Sequence, residues 1–172
     1  SPSPSPPIDA AAPVARRRST VSLLLISLRP EQWTKNLLVL AGLVFGGRLL
    51  DPRAVELAVA TFAVFCALSG AVYLFNDVAD RDVDRNHPLK SERPIAAGLL
   101  PARTATIAGV ALGTAGVAAA LAIRPELGLI AGGYLLLLTT YSMALKHVVI
   151  VDVLIISAGF VLRAMAGAIA IA

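Results

Sequence analysis

The stretch Tyr73–Gly98, YLFNDVADRDVDRNHPLKSERPIAAG, decides how this chain is read. The nineteen residues before it, 54–72, carry a single charge, Glu56. The stretch itself then supplies Asp77, Asp80, Asp82 and Asp84 together with Arg81, Arg85, Lys90 and Arg93. An apolar run long enough to cross a bilayer that ends in dense opposite charge marks a membrane helix emerging into water. Composition agrees. Hydrophobic residues make up 57% of the 172, charged residues only 15%, and mean hydropathy is +0.78, whereas a soluble domain carries roughly a quarter charged residues.

Working outward, apolar runs alternate with short charged loops, and lipid leaves the backbone of each run no alternative to helix. The pattern predicts an all-α, polytopic membrane protein with about five spans: Leu37–Leu50, Ala54–Phe75, Thr104–Ile123, Leu127–Leu145, and Val149 to the last residue. The first is short and contains glycine, with Trp33 ahead of it at headgroup depth. Residues 1–20, rich in Pro, Ser and Ala and bearing Arg16, Arg17 and Arg18, read as a disordered cytoplasmic tail. Residues 21–172 form the helical domain. Cys66 has no partner in the chain, so no internal disulfide is expected.

Orientation follows from the basic residues. With the N-terminus inside, eleven Lys and Arg lie on the cytoplasmic side and three, Arg48, Arg53 and Arg124, lie outside. The charged stretch then faces the cytoplasm.

If the second span continues as helix beyond the bilayer, roughly 100° per residue brings Asn76, Asp77, Asp80 and Asp84 within one arc of about 100°. Asp82 falls on the opposite side. Carboxylates crowded on one face repel unless cations stand between them. An all-oxygen donor set suits a hard divalent ion such as Mg2+, which commonly completes its shell with substrate phosphate oxygens. A diphosphate is the matching guest. Lys90 and Arg93, in a loop able to fold back over the acidic face, and Lys35 and Lys146, at the edges of other spans, are candidate phosphate contacts. Arg81, Arg85 and Arg103 read as surface anchors, and His87 and His147 as interfacial residues rather than catalysts. Asp152, Gly159, Arg163 and Ala166 share one side of the fifth span. Packing of Arg163 against a neighbouring helix and contact with a substrate phosphate are both open for it.

NDVADRDVD matches the NDxxDxxxD signature of the UbiA superfamily of intramembrane transferases, at the end of the second span, where that family has it. RPEQWTKN, HPLKSERPIAAG, YSMALKHVVIVD and GFVLRAMAGAIA look like the decaprenyl-phosphate phosphoribosyltransferase branch. The resemblance covers about residues 25–172. It implies transfer of the 5-phosphoribosyl group of phosphoribosyl pyrophosphate to decaprenyl phosphate, with release of diphosphate, in the synthesis of arabinan precursors for the cell wall. It further implies a multi-pass protein of the plasma membrane with Mg2+ on Asn76, Asp77, Asp80 and Asp84; of these the three aspartates are the catalytic carboxylates. Donor phosphates would meet Lys35, Asn76, Lys90, Arg93 and Lys146, with Tyr141 nearby.

A prenyltransferase acting on an aromatic acceptor is the alternative within the superfamily, and a non-enzymatic cation-binding membrane protein a distant one. Nucleic acid is not expected as a partner; a homo-oligomer is compatible. Members of the superfamily have about nine spans and a second acidic motif, so this chain is expected to be the N-terminal part of such a domain and inactive alone.

Overall fold

The computed structural model describes residues 18–145 and 149–172. Most of the expected tail, including Arg16 and Arg17, lies outside the described residues, as do Lys146 and His147. Every regular element among the described residues is helical.

The chain opens with α1, Thr20–Ser27, capped by the Ser19 hydroxyl, which accepts the Ser22 N–H at 3.2 Å. A 3₁₀ segment, Pro30–Leu40, runs directly into the one-turn α2, Ala41–Phe45. The long helix α3 spans Pro52–Ala79. Asp51 starts it by accepting the backbone N–H groups of Arg53 and Ala54, with Pro52 in the first turn, where a missing N–H costs nothing. The short α4, Arg81–Arg85, follows. Then come α5, Ala102–Ile123, and α6, Pro125–Thr140, which widens into a π-type turn, Tyr141–Leu145. The last helix is α7, Val149–Ile171.

Among the described residues, three helices are long and apolar enough to cross a membrane: Pro52–Ala79, Ala102–Ile123 and Ile150–Ile171. The first expected span, Leu37–Leu50, lies earlier than expected and is built differently, from the 3₁₀ segment and α2, Pro30 to Phe45, with no helix over 46–50. A 3₁₀ helix rises about 2 Å per residue against 1.5 Å for an α-helix, so these sixteen residues reach about 30 Å. The fourth expected span is α6, only 16 residues, prolonged by the π turn.

Helix α3 is the hub, touching the 3₁₀ segment, α5, α6 and α7. Its buried Phe65 and Leu68 meet Tyr134 of α6, the Phe65 and Tyr134 rings edge to face at 5.1 Å. Small residues let backbones approach. A Cβ added at Gly116 of α5 would stand 2.8 Å from the Leu68 side chain, and one at Gly167 of α7 would run into the Val39 carbonyl of the 3₁₀ segment. Leu129, Leu136, Ile150, Leu154 and Val161 are exposed on the outside of α6 and α7, an apolar surface that lipid would cover.

The expected unbroken helix through the acidic motif is interrupted at one residue. Asp80 caps α3, its N–H donating to the Asn76 carbonyl, and α4 starts immediately after it. The turn keeps Asp82 apart from Asp77 and Asp84, but the expected single face does not extend to Asn76, which lines a different cavity from Asp77. Asp77 and Asp84 are buried on one side, while Asp82 is exposed and pairs with Arg81 and Arg85.

Candidate functional site

The acidic motif sits at the C-terminal end of α3, where four backbone carbonyls lack helical partners and the macrodipole is negative. Carboxylates are disfavoured there by local physics, and arginines from two distant segments offset them. Arg29 donates from Nη2 to Asp77 Oδ1 at 2.6 Å. Arg93 donates from Nη1 both to Asp84 Oδ2 at 2.6 Å and to Asp77 Oδ1 at 3.2 Å, so one guanidinium bridges the two buried acids. Lys90 Nζ stands 3.9 Å from Asp84 Oδ1.

Both arginines precede a proline, Pro30 and Pro94. For Arg29 the backbone conformation is unusual: φ is 53° and ψ 64°, the left-handed region, which costs a non-glycine residue about 1–2 kcal/mol and is disfavoured again before proline. The ion pair to Asp77, together with the approach of Arg29 to the Tyr73 ring at 5.0 Å, holds it there.

Two cavities open on either side of Asn76 and Asp77. One, of about 330 Å³, is lined by Arg29, Glu31, Gln32, Asp77, Glu92 and Arg93 among others. The other, of about 270 Å³, has Lys35, Asn76, Tyr141 and Ser142 in its wall and reaches Ser69, Tyr134, Gly159 and Arg163. The adjacent motif residues thus serve different spaces: Asn76 faces the second cavity, where its Oδ1 accepts the Ser142 hydroxyl, and Asp77 the first.

Of the residues named from sequence, Asp77, Asp84, Lys90 and Arg93 form one charged group, and Lys35, Asn76 and Tyr141 line the neighbouring cavity. Asp80 is half-buried at the C-cap of α3 and lines neither cavity. Tyr141 donates its hydroxyl to Asp152, which gives that intramembrane carboxylate a partner. Exposed His87 accepts the Leu89 N–H at Nδ1 and joins neither cavity.

Sequence reading missed Arg29, Asn36, Ser69, Tyr134 and Ser142. Only Arg29 carried a local signal, the Arg-Pro pair it shares with Arg93. Asn36, Ser69 and Tyr134 come from three separate elements, and nothing in their spacing joins them.

Among the described residues, no three of His, Cys, Asp and Glu are grouped so as to hold a metal ion. The donor chemistry nevertheless fits a hard divalent cation, because the motif offers only carboxylate and amide oxygens. Arg93 between Asp77 and Asp84 marks where positive charge is required.

Residues 36–172 match the sequence profile of the UbiA prenyltransferase family. Decaprenyl-phosphate phosphoribosyltransferase of Mycobacterium tuberculosis (strain ATCC 25618 / H37Rv) is 40% identical over 148 residues, 84% of this chain and 49% of that protein. The protein of the same name from Corynebacterium glutamicum is 39% identical over 157 residues, 86% of this chain and 46% of that one. Nodulation protein NoeC of Azorhizobium caulinodans is 32% identical over 142 residues, 83% and 46% of the two chains. The chain spans about half the length of the curated relatives it matches.

Proposed function

The chain belongs to the UbiA prenyltransferase family, and from that premise we propose that its protein transfers the 5-phosphoribosyl group of phosphoribosyl pyrophosphate to a polyprenyl phosphate such as decaprenyl phosphate. The observation that carries this reading is the paired acid face, Asp77 and Asp84, with Arg29, Lys90 and Arg93 beside it. Carboxylates and fixed cations in one place suit a diphosphate that arrives with its own metal. The relatives of that name support the choice of donor and acceptor.

In the reaction, the bond from the anomeric carbon to the diphosphate oxygen breaks, and its electron pair leaves with diphosphate. An oxygen of the lipid phosphate forms the new bond to that carbon. The nucleophile is already an anion, so no general base is needed. Arg93 and Lys90 bear on the charge that grows on the leaving group, and in releasing Asp77 and Asp84 the guanidinium becomes free to grip phosphate bidentately. Prenyltransferases of this family generally use a divalent metal. Here Asn76, Asp77, Asp80 and Asp84 would hold it, Mg2+ being the ion proposed, and it would supply neutralisation of the diphosphate. Lys35 and Tyr141 border the adjoining cavity, and Lys146 remains a proposed phosphate contact from its place in the sequence.

The protein is a multi-pass membrane protein. The excess of basic residues on the acidic side supports a plasma-membrane orientation with the site facing the cytoplasm. Membranes carrying the protein, given radiolabelled phosphoribosyl pyrophosphate, polyprenyl phosphate and Mg2+, are expected to move label into an organic-extractable lipid, and chelation to stop it. Prenylation of an aromatic acid instead would favour the alternative chemistry.

A further inference from the structure

The deep end of the second cavity holds a charge that the diphosphate reading leaves unused. Arg163 of α7 is 8% exposed. Its Nε donates to Asn36 Oδ1 at 2.8 Å, its Nη2 donates to the Tyr134 hydroxyl at 2.6 Å, and its guanidinium carbon lies 5.0 Å from the Tyr134 ring centre and 5.4 Å from that of Phe160. Ser69 tightens the group, its hydroxyl donating to Asn36 Oδ1 at 3.2 Å and standing 3.1 Å from the Tyr134 hydroxyl. Four elements therefore converge to fix one guanidinium.

All of those partners are neutral. Among the described residues no carboxylate pairs with Arg163, in contrast to Arg29 and Arg93. Burying a net charge inside a membrane protein is expensive, and such residues face a cavity or a partner. The remaining nitrogen, Nη1, faces the cavity past Gly159, where an added Cβ would stand 3.4 Å from it. Ser69 lies seven residues before Asn76 on α3, so the group sits about 10 Å along the axis from the motif. A prenyl donor would send hydrocarbon into that space, where it would leave the charge uncompensated.

The geometry points to Arg163, held by Asn36 and Tyr134 and approached past Gly159, as the seat of a phosphate monoester at the deep end of this cavity. The inference rests on the transferase reading, and it narrows the substrates to ones with a second anion about 10 Å from the diphosphate end. Two molecules present that chemistry: the donor, through its 5-phosphate, and the lipid acceptor, through its headgroup.

The test is calorimetric binding to the purified protein in phosphatidylcholine nanodiscs, with ribose 5-phosphate, a short polyprenyl phosphate and inorganic diphosphate as separate probes. Arg163→Gln is expected to weaken one monoester at least about tenfold while diphosphate affinity stays within about twofold. Loss for ribose 5-phosphate assigns the seat to the donor, and loss for polyprenyl phosphate assigns it to the acceptor. Gly159→Val fills the space before Nη1 without removing a hydrogen bond; it should reproduce the loss and carries the test if Arg163→Gln does not fold. Unchanged affinity for both monoesters in the folded variants would overturn the seat alone. A wild-type protein that binds neither monoester but binds geranyl diphosphate would overturn the phosphoribosyl-transfer reading and the seat with it.

Discussion

The two ends of α3 use the same residue types to opposite effect. At the start, Asp51 caps the helix where the macrodipole favours negative charge, and its ion pair to Arg48 at 2.7 Å and the neighbouring Arg53–Glu56 pair at 3.0 Å are open to solvent. At the finish, Asp77 stands in the last turn of α3, where the dipole opposes it, and Asp84 follows on α4; each is 2% exposed and held by arginines from other segments. The first end follows local helix physics; the second violates it. Such violations gather where binding needs them, and breaking a buried pair costs far more than breaking an exposed one.

The largest effect is expected at the buried end. Asp77→Asn removes the carboxylate shared by Arg29 and Arg93 and should lower label transfer about 100-fold or more, comparable to loss of a fixed transition-state contact. Arg93→Ala leaves buried Asp84 with Lys90 at 3.9 Å and Asp77 with Arg29, and thermal unfolding in detergent should show a loss of about 3 kcal/mol. Asp77→Asn made together with Arg93→Ala should recover part of that loss; a double variant as unstable as the sum would deny the bridge.

The N-terminal end should respond weakly. The Arg48 hydrogen bond first, then the Ala54 N–H, holds the Asp51 carboxyl below the usual carboxylate range. A folded-state value below the unfolded one means a contribution present above about pH 4 and lost as pH falls through the folded value. Asp51→Asn should therefore lower the melting temperature slightly at neutral pH, with the gap to wild type closing in acid. An unchanging gap would show that charge plays no part in the cap. Smallest of all, Glu56→Gln should stay within about 0.5 kcal/mol at any pH.

The same contrast explains what could be read in advance. Spacing within NDVADRDVD was enough to put Asp77 and Asp84 on one side and Asp82 on the other, because helical periodicity survives the break at Asp80. It could not show that Arg93 bridges the acids, nor that Arg29 reaches Asp77 from 48 residues away, since no local pattern records a long-range pair. The apolar runs disclosed the long helices. They did not disclose that Pro30–Leu40 winds as 3₁₀, a choice made by packing against α3 and α7, where the Val39 backbone abuts Gly167. The Arg163 group was half legible. An arginine in a span asks for a partner, but Asn36, Ser69 and Tyr134 meet it only through the tertiary fold.

The central claim is that one side of the acidic motif receives the donor. It is tested most directly by label transfer from phosphoribosyl pyrophosphate with Asp84→Asn and Asp82→Asn compared in membranes at equal protein level. Asp84→Asn, at the buried carboxylate on Arg93, should cut transfer about 100-fold or more, while Asp82→Asn, at the exposed one, should stay within about twofold of wild type. Equal losses from both variants, or none from Asp84→Asn, would contradict the account.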